Sequence, residues 1–174
     1  NRILKTIASA FLLSLLVSPS WGAIWVFNAI LNGAQEVPPN SSPAVGSATM
    51  IYDDVTNLFN LFIAENGIPR SQIIASHIHV GPPGVSGPVV FNIGDGSVYQ
   101  DFGTTGAYFA GTNLGPFPQG NEADLLANNT YINIHTPTYP GGEIRGQLIL
   151  VPEPVSLAVL GGGLGLLILR RRRS

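Results

Sequence analysis

Apolar residues recur on alternate positions in short runs along this chain, and a period of two admits a β-sheet and little else. In residues 25–31, Trp25, Phe27, Ala29 and Leu31 share one face, and Val26, Asn28 and Ile30 the other. Ala48, Met50 and Tyr52 alternate with Ser47, Thr49 and Ile51 in residues 44–53, and Phe59, Leu61 and Ile63 repeat the pattern in 58–64. Asp53, Asp54 and Asn57 between them supply turn chemistry, so the two runs are expected to form an antiparallel hairpin. Residues 75–80 and 89–93 read as strands around a Gly/Pro-rich loop, 81–88. Residues 131–135 and 143–151 read as a closing hairpin around 137–142.

Two stretches depart from the pattern. Pro69 opens an irregular or one-turn helical connection at 68–74, and a helical turn or two is expected at 122–128, with Asn121 as N-cap and two early acids suiting the helix dipole. The glycine-heavy segment 94–120 gives no clear period. The expected fold class is all-β: an antiparallel, Greek-key-like sandwich or partly open barrel with one short helix. Cysteine is absent. Stability therefore comes from apolar burial and sheet hydrogen bonds, and thiolate metal sites and cysteine nucleophiles are excluded.

The two ends read as addressing segments outside that fold. Arg2 and Lys5 precede an apolar stretch at 7–17, and Ser20 and Gly22 fit the small positions before a signal-peptidase cut, so residues 1–22 are expected to be a signal peptide. At the other end, Pro152, Glu153 and Pro154 precede 15 apolar residues, 155–169, and then Arg170, Arg171, Arg172 and Arg173. The run is short for a spanning helix, which needs about 20 residues, or about 17 at the least. Snorkelling arginines make up part of the difference, and their charge places the body across the membrane from them. This three-part order resembles the PEP-CTERM sorting signal. That resemblance implies a membrane intermediate at 151–174, an exosortase-type transpeptidase as partner, and delivery to the cell envelope or outside. A plain C-terminal anchor is the alternative.

Setting the ends aside changes the charge. Six of the eight basic residues lie in them, leaving Arg70 and Arg145 against nine carboxylates, so the body is near −7. Nucleic acid is excluded as a partner, because phosphate binding needs a basic patch. The remaining 128 residues, 23–150, make one domain with room for a core.

Within that body, Leu31-Asn32-Gly33-Ala34-Gln35-Glu36-Val37-Pro38-Pro39 comes first. Ser76-His77-Ile78-His79-Val80-Gly81 with Gly87-Pro88-Val89-Val90 follows, then Tyr131-Ile132-Asn133-Ile134-His135-Thr136 and Gly141-Gly142-Glu143-Ile144-Arg145-Gly146-Gln147-Leu148. These blocks, in this order, resemble the CHRD domain of extracellular and microbial secreted proteins, from about residue 27 to 150. The resemblance implies export and a β-fold, and brings no established activity with it.

All three histidines fall inside those blocks. His77 and His79 leave the same face of one strand, about 6.5–7 Å apart at the backbone. That spacing suits two imidazoles on one metal, with His135 as a third ligand for copper or zinc. The reading preferred from the sequence is a structural hydrogen-bonded network joined by Glu143 and Arg145, with the metal site as its alternative. A His-x-His strand and a Gly-rich C-terminal block with an arginine are also faintly similar to copper/zinc superoxide dismutase. The missing cysteines, the count of only three histidines and the lack of a bridging ligand all depart from that enzyme.

The other candidates are weaker. Glu143 and Arg145 share a strand face and are expected to pair, and Arg145 is a candidate binding contact. Asp95 and Asp101 fit a solvated turn better than calcium. Loop 81–87 lacks the lysine of a phosphate loop, and Ser76 points away from its neighbour His77. Tyr108, Tyr131 and Tyr139 are candidate exposed contacts for polysaccharide or surface proteins. The resulting expectation is a non-enzymatic, exported adhesion or matrix-binding module without a cofactor. A copper- or zinc-binding protein, or a dismutase-like enzyme, on His77, His79 and His135 is the alternative.

Overall fold

The computed structural model describes residues 22–152. The signal-peptide expectation, apart from Gly22, and the sorting motif at Glu153, Pro154 and Arg170 to Arg173 lie outside the described residues. Pro152 is the last described residue and is exposed. Among the described residues, no helix is long and apolar enough to cross a membrane.

Ten strands form one antiparallel sheet: β1 Ile24–Asn32, β2 Val45–Asp53, β3 Leu58–Asn66, β4 Ala75–Val80, β5 Val89–Gly94, β6 Gln100–Phe102, β7 Gly106–Leu114, β8 Thr130–His135, β9 Ile144–Gln147 and β10 Ile149–Leu150. Their spatial order is β5-β4-β8-β9-β1-β2-β3-β7-β6, with β10 also against β1. The chain passes from one side of the sheet to the other between β3 and β4, back between β5 and β6, and across again between β7 and β8. These are the Greek-key-like crossings expected of an all-β domain. The sheet curls into a half-barrel: Phe59 of β3 and Phe91 of β5, far apart in strand order, meet edge to face at 4.9 Å between ring centroids.

Alternation explains the inner face. Phe27, Ala29, Leu31, Ala48, Met50, Tyr52, Phe59, Leu61 and Ile63 are all buried in one core, and β2 pairs with β3 in unbroken register from Val45↔Asn66 to Asp53↔Leu58. The turn between them needs an asparagine. Asn57 takes a left-handed backbone (φ 59°), accepts from the Tyr52 hydroxyl at 2.7 Å and donates to the Phe117 carbonyl at 2.6 Å. Phe117 then closes that end of the core against Tyr52 and Phe59.

The sequence reading missed some elements and misplaced others. Segment 94–120 holds β6 and the nine-residue β7, whose Ala107 and Phe109 face the core. Glycine at 106 and 111 and polar Thr112 and Asn113 mask that period. The connection 68–74 contains a single 3-10 turn, Arg70–Gln72. The helix α1 spans Glu122–Leu126, but Asn121 does not cap it: its amide donates to Asp124 Oδ2 at 3.3 Å. The closing hairpin breaks at Leu148, whose side chain is fully buried and whose N–H turns to the Thr130 carbonyl.

Candidate metal centre

Strand β8 is buried along its whole length, Thr130 to His135. One face carries Ile132 and Ile134 into the core, while Tyr131, Asn133 and His135 on the other face are also covered. Cross-strand register extends this second, polar face over three strands, pairing His77↔Asn133↔Arg145 and His79↔Tyr131↔Gln147. Loops 33–43 and 81–88 lie over it and supply its partners. The Asn40 amide bonds the Gly142 and Glu143 carbonyls, Glu36 accepts from Asn133 at 3.3 Å, and the Gln147 amide donates to the Gly81 carbonyl at 2.9 Å.

His77, His79 and His135 converge in this layer, one ring nitrogen from each lying within 4.8 Å of the other two. Gly87 and Pro140 carbonyls fix two of the rings, accepting from His79 Nδ1 at 2.9 Å and His135 Nδ1 at 3.1 Å. A carbonyl cannot donate, so both Nδ1 atoms carry the proton, and both Nε2 atoms keep a lone pair. His135 Nε2 takes a hydrogen bond from His77 Nδ1 at 3.2 Å. His79 Nε2 is buried with no partner. Burial holds all three histidines below the usual imidazole range, assisted at His77 by the two neighbouring rings. They are therefore neutral near pH 7, the form that ligates metal.

The spacing fits an ion after a small adjustment. His77 Nδ1 and His135 Nε2 already stand at the separation of two ligands with bonds of about 2.0–2.1 Å. The 4.8 Å limit on the cluster means that the third nitrogen would close by up to about 1.5 Å, through rotation of the rings. Ligation would also move the His77 proton from Nδ1 to Nε2. His79 and His135 are buried and His77 is half-buried, so His77 marks the side on which the cluster meets solvent.

His79 is held further by stacking. Its ring lies on that of Tyr131, centroids 4.8 Å apart and planes 7° apart, and the Arg145 guanidinium carbon lies 3.4 Å from the Tyr131 centroid. At those distances the two occupy opposite faces of Tyr131. Gly87 clamps the assembly, donating its N–H to the Tyr131 hydroxyl at 3.1 Å while its carbonyl holds His79.

The matching family model is the CHRD domain, over residues 27–148. The chain belongs to the CHRD family. No curated protein and no solved structure matches it.

Several sequence expectations fare differently in this CHRD domain. Glu143 and Arg145 do not pair: Glu143 accepts from Ser42 and Thr136 hydroxyls at 2.7 and 2.6 Å, while Arg145 donates to the Pro82 carbonyl and Gln147. Neither bonds a histidine. Tyr131 is 2% exposed and is no surface contact, and Tyr108 and Tyr139 are half-buried. Asp95 accepts from the Ser97 N–H, and Asp101 pairs with Arg70 at 3.0 Å. Ser76 donates to the Gly94 carbonyl. Loop 81–87 is the cover over His79. Glu36, Asn133 and Gly87 escaped the sequence reading as site residues, and Tyr131 was assigned to the surface, because neighbours on the polar face are distant in the chain. The visible signal was that 131, 133 and 135 are polar or aromatic between isoleucines.

Proposed function

We infer that this CHRD domain is an exported, non-enzymatic module that holds one copper or zinc ion on His77, His79 and His135. The supporting observation is His79: its Nδ1 is tied to Gly87, and its Nε2 is buried without a partner in a cluster where each histidine brings one ring nitrogen within 4.8 Å of the others. A structural network alone would leave that atom bare, at a cost of about 1–3 kcal/mol. Three neutral imidazoles suit either ion.

Metal analysis of the dialysed full chain tests this reading. The expected result is one copper or zinc per chain, lost in His79→Ala. A parent chain that retains no added copper or zinc would overturn it, and superoxide dismutation by the loaded chain would overturn the non-enzymatic part.

Export rests on the two terminal segments. Signal peptidase acts on the first, the membrane holds the second, and an exosortase-type transpeptidase takes Pro152-Glu153-Pro154 as its mark. The module then works in the envelope or extracellular matrix, beside polysaccharide or surface proteins. The intact mass of the chain recovered from its host reports both cuts; an uncut chain in the cytoplasm would refute this itinerary.

A further inference from the structure

Arg145 is 2% exposed and has no carboxylate within ion-pair distance; among the described residues the one ion pair is Arg70 with Asp101. Both of its hydrogen bonds leave from Nη2, at 3.1 Å to the Pro82 carbonyl and 3.4 Å to Gln147 Oε1. The Nε and Nη1 donors have no recorded partner. Glu36 attracts the guanidinium through space without an ion-pair contact: one of its oxygens accepts from Asn133 and the other is buried without a partner. A buried cation without a contacting counter-charge is costly, and stacking on Tyr131 and the field of Glu36 offset only a part of that cost.

The guanidinium borders a cavity of about 420 Å³. Ala34, Val37 and Pro39 wall it on one side and Pro83 and Gly84 on the other, so the two cover loops form its mouth, and Gln35, Glu36 and Gln147 join Arg145 as its polar lining. Burial raises the Glu36 carboxyl from 4.5 to about 7, which lessens its repulsion of an anion. That size takes a single small molecule. The cavity and the histidine cluster lie on opposite sides of the Tyr131 ring, and the cavity stands whether or not the cluster holds an ion.

We propose that this cavity binds a small monocarboxylate, a free acid or a single acidic sugar, whose carboxylate takes the unused edge of Arg145. The planar fork of arginine matches a carboxylate through two parallel hydrogen bonds, and the apolar loop walls cover the rest of the ligand. The charge of the domain limits the ligand. A body near −7 repels a polyanion, while one negative charge is met by Arg145 at the cavity floor.

Calorimetric titration of the full chain in detergent with acetate, D-glucuronate and D-glucose tests the proposal. Acetate or glucuronate is expected to bind saturably and glucose at least about tenfold more weakly, as loss of a charge-assisted contact implies. Binding by both acids marks the carboxylate alone as the determinant; binding by glucuronate alone marks the acidic sugar. Ala34→Trp, at an exposed position in the mouth, fills the cavity without touching the stack and is expected to abolish binding with folding intact. Arg145→Gln is expected to do the same, with circular dichroism as the check on folding. Failure of both acids to bind the folded parent, binding of glucose as tight as glucuronate, or undiminished binding by Ala34→Trp would each overturn the proposal. Metal content, read on the same samples, stands apart from all of these outcomes.

Discussion

The Gly87 carbonyl accepts the Nδ1 proton of His79 at 2.9 Å, so one loop glycine sets the tautomer of a strand histidine eight residues before it. A Cβ on Gly87 would collide with the Val80 carbonyl oxygen, so a side chain there displaces the loop. Gly87→Ala is therefore expected to leave a folded sheet but weaken metal retention about 10–100-fold, the usual cost of losing an outer-shell partner. Competition with a chelator measures it; unchanged retention would remove Gly87 from the site.

Ile78 lies between His77 and His79, with its side chain on the opposite face, fully buried in the core. Ile78→Ala is expected to cost about 2–5 kcal/mol and Ile78→Val about 0.5–1.5 kcal/mol. Neither should change the metal stoichiometry of the folded protein. Denaturant melts and metal analysis on the same pair of variants check that the two faces of β4 act separately.

Tyr131 carries Arg145 on one face and His79 on the other. Tyr131→Phe keeps both stacks and loses the bond from the Gly87 N–H, an expected cost of about 1 kcal/mol. Tyr131→Leu loses the ring as well and is expected to cost about 2–4 kcal/mol. Equal melting curves for the two variants would show that stacking contributes nothing.

Glu65 is 2% exposed, and burial raises its carboxyl from 4.5 to about 7, although the Ile68 N–H bonds one oxygen at 3.0 Å. Between those values the folded chain holds the proton that the unfolded chain has lost. The Glu65 contribution is thus full below about pH 4.5 and falls as pH rises through about 7, by at most about 3 kcal/mol. Glu65→Gln is expected to match the parent near pH 4.5 and exceed it at pH 8. Melts at the two values decide the matter: a pH-independent difference would contradict it.

Strands with one wet face were legible in the sequence, because Phe27, Met50 and Leu61 each recur against polar or exposed neighbours. β7 was not, since Gly106 and Gly111 remove the side chains that would mark its period. The three histidines were legible as a set through the His77–His79 spacing. Their supports were not: Gly87, Pro140 and Tyr131 reach them through loop closure and cross-strand register, which leave no local pattern. Tyr131 misled for a related reason. An aromatic next to a loop reads as exposed until a second layer is known to cover it.

The double burial of β8 also governs which edits the chain tolerates. Inserting or deleting one residue within this strand would exchange its two sides, thrusting His135 into hydrocarbon and leaving isoleucine beneath the polar loops. Length variation is thereby steered to turns such as 103–105, where Gly103 has open space around it, and the spacing from Tyr131 to His135 acts as a fixed ruler.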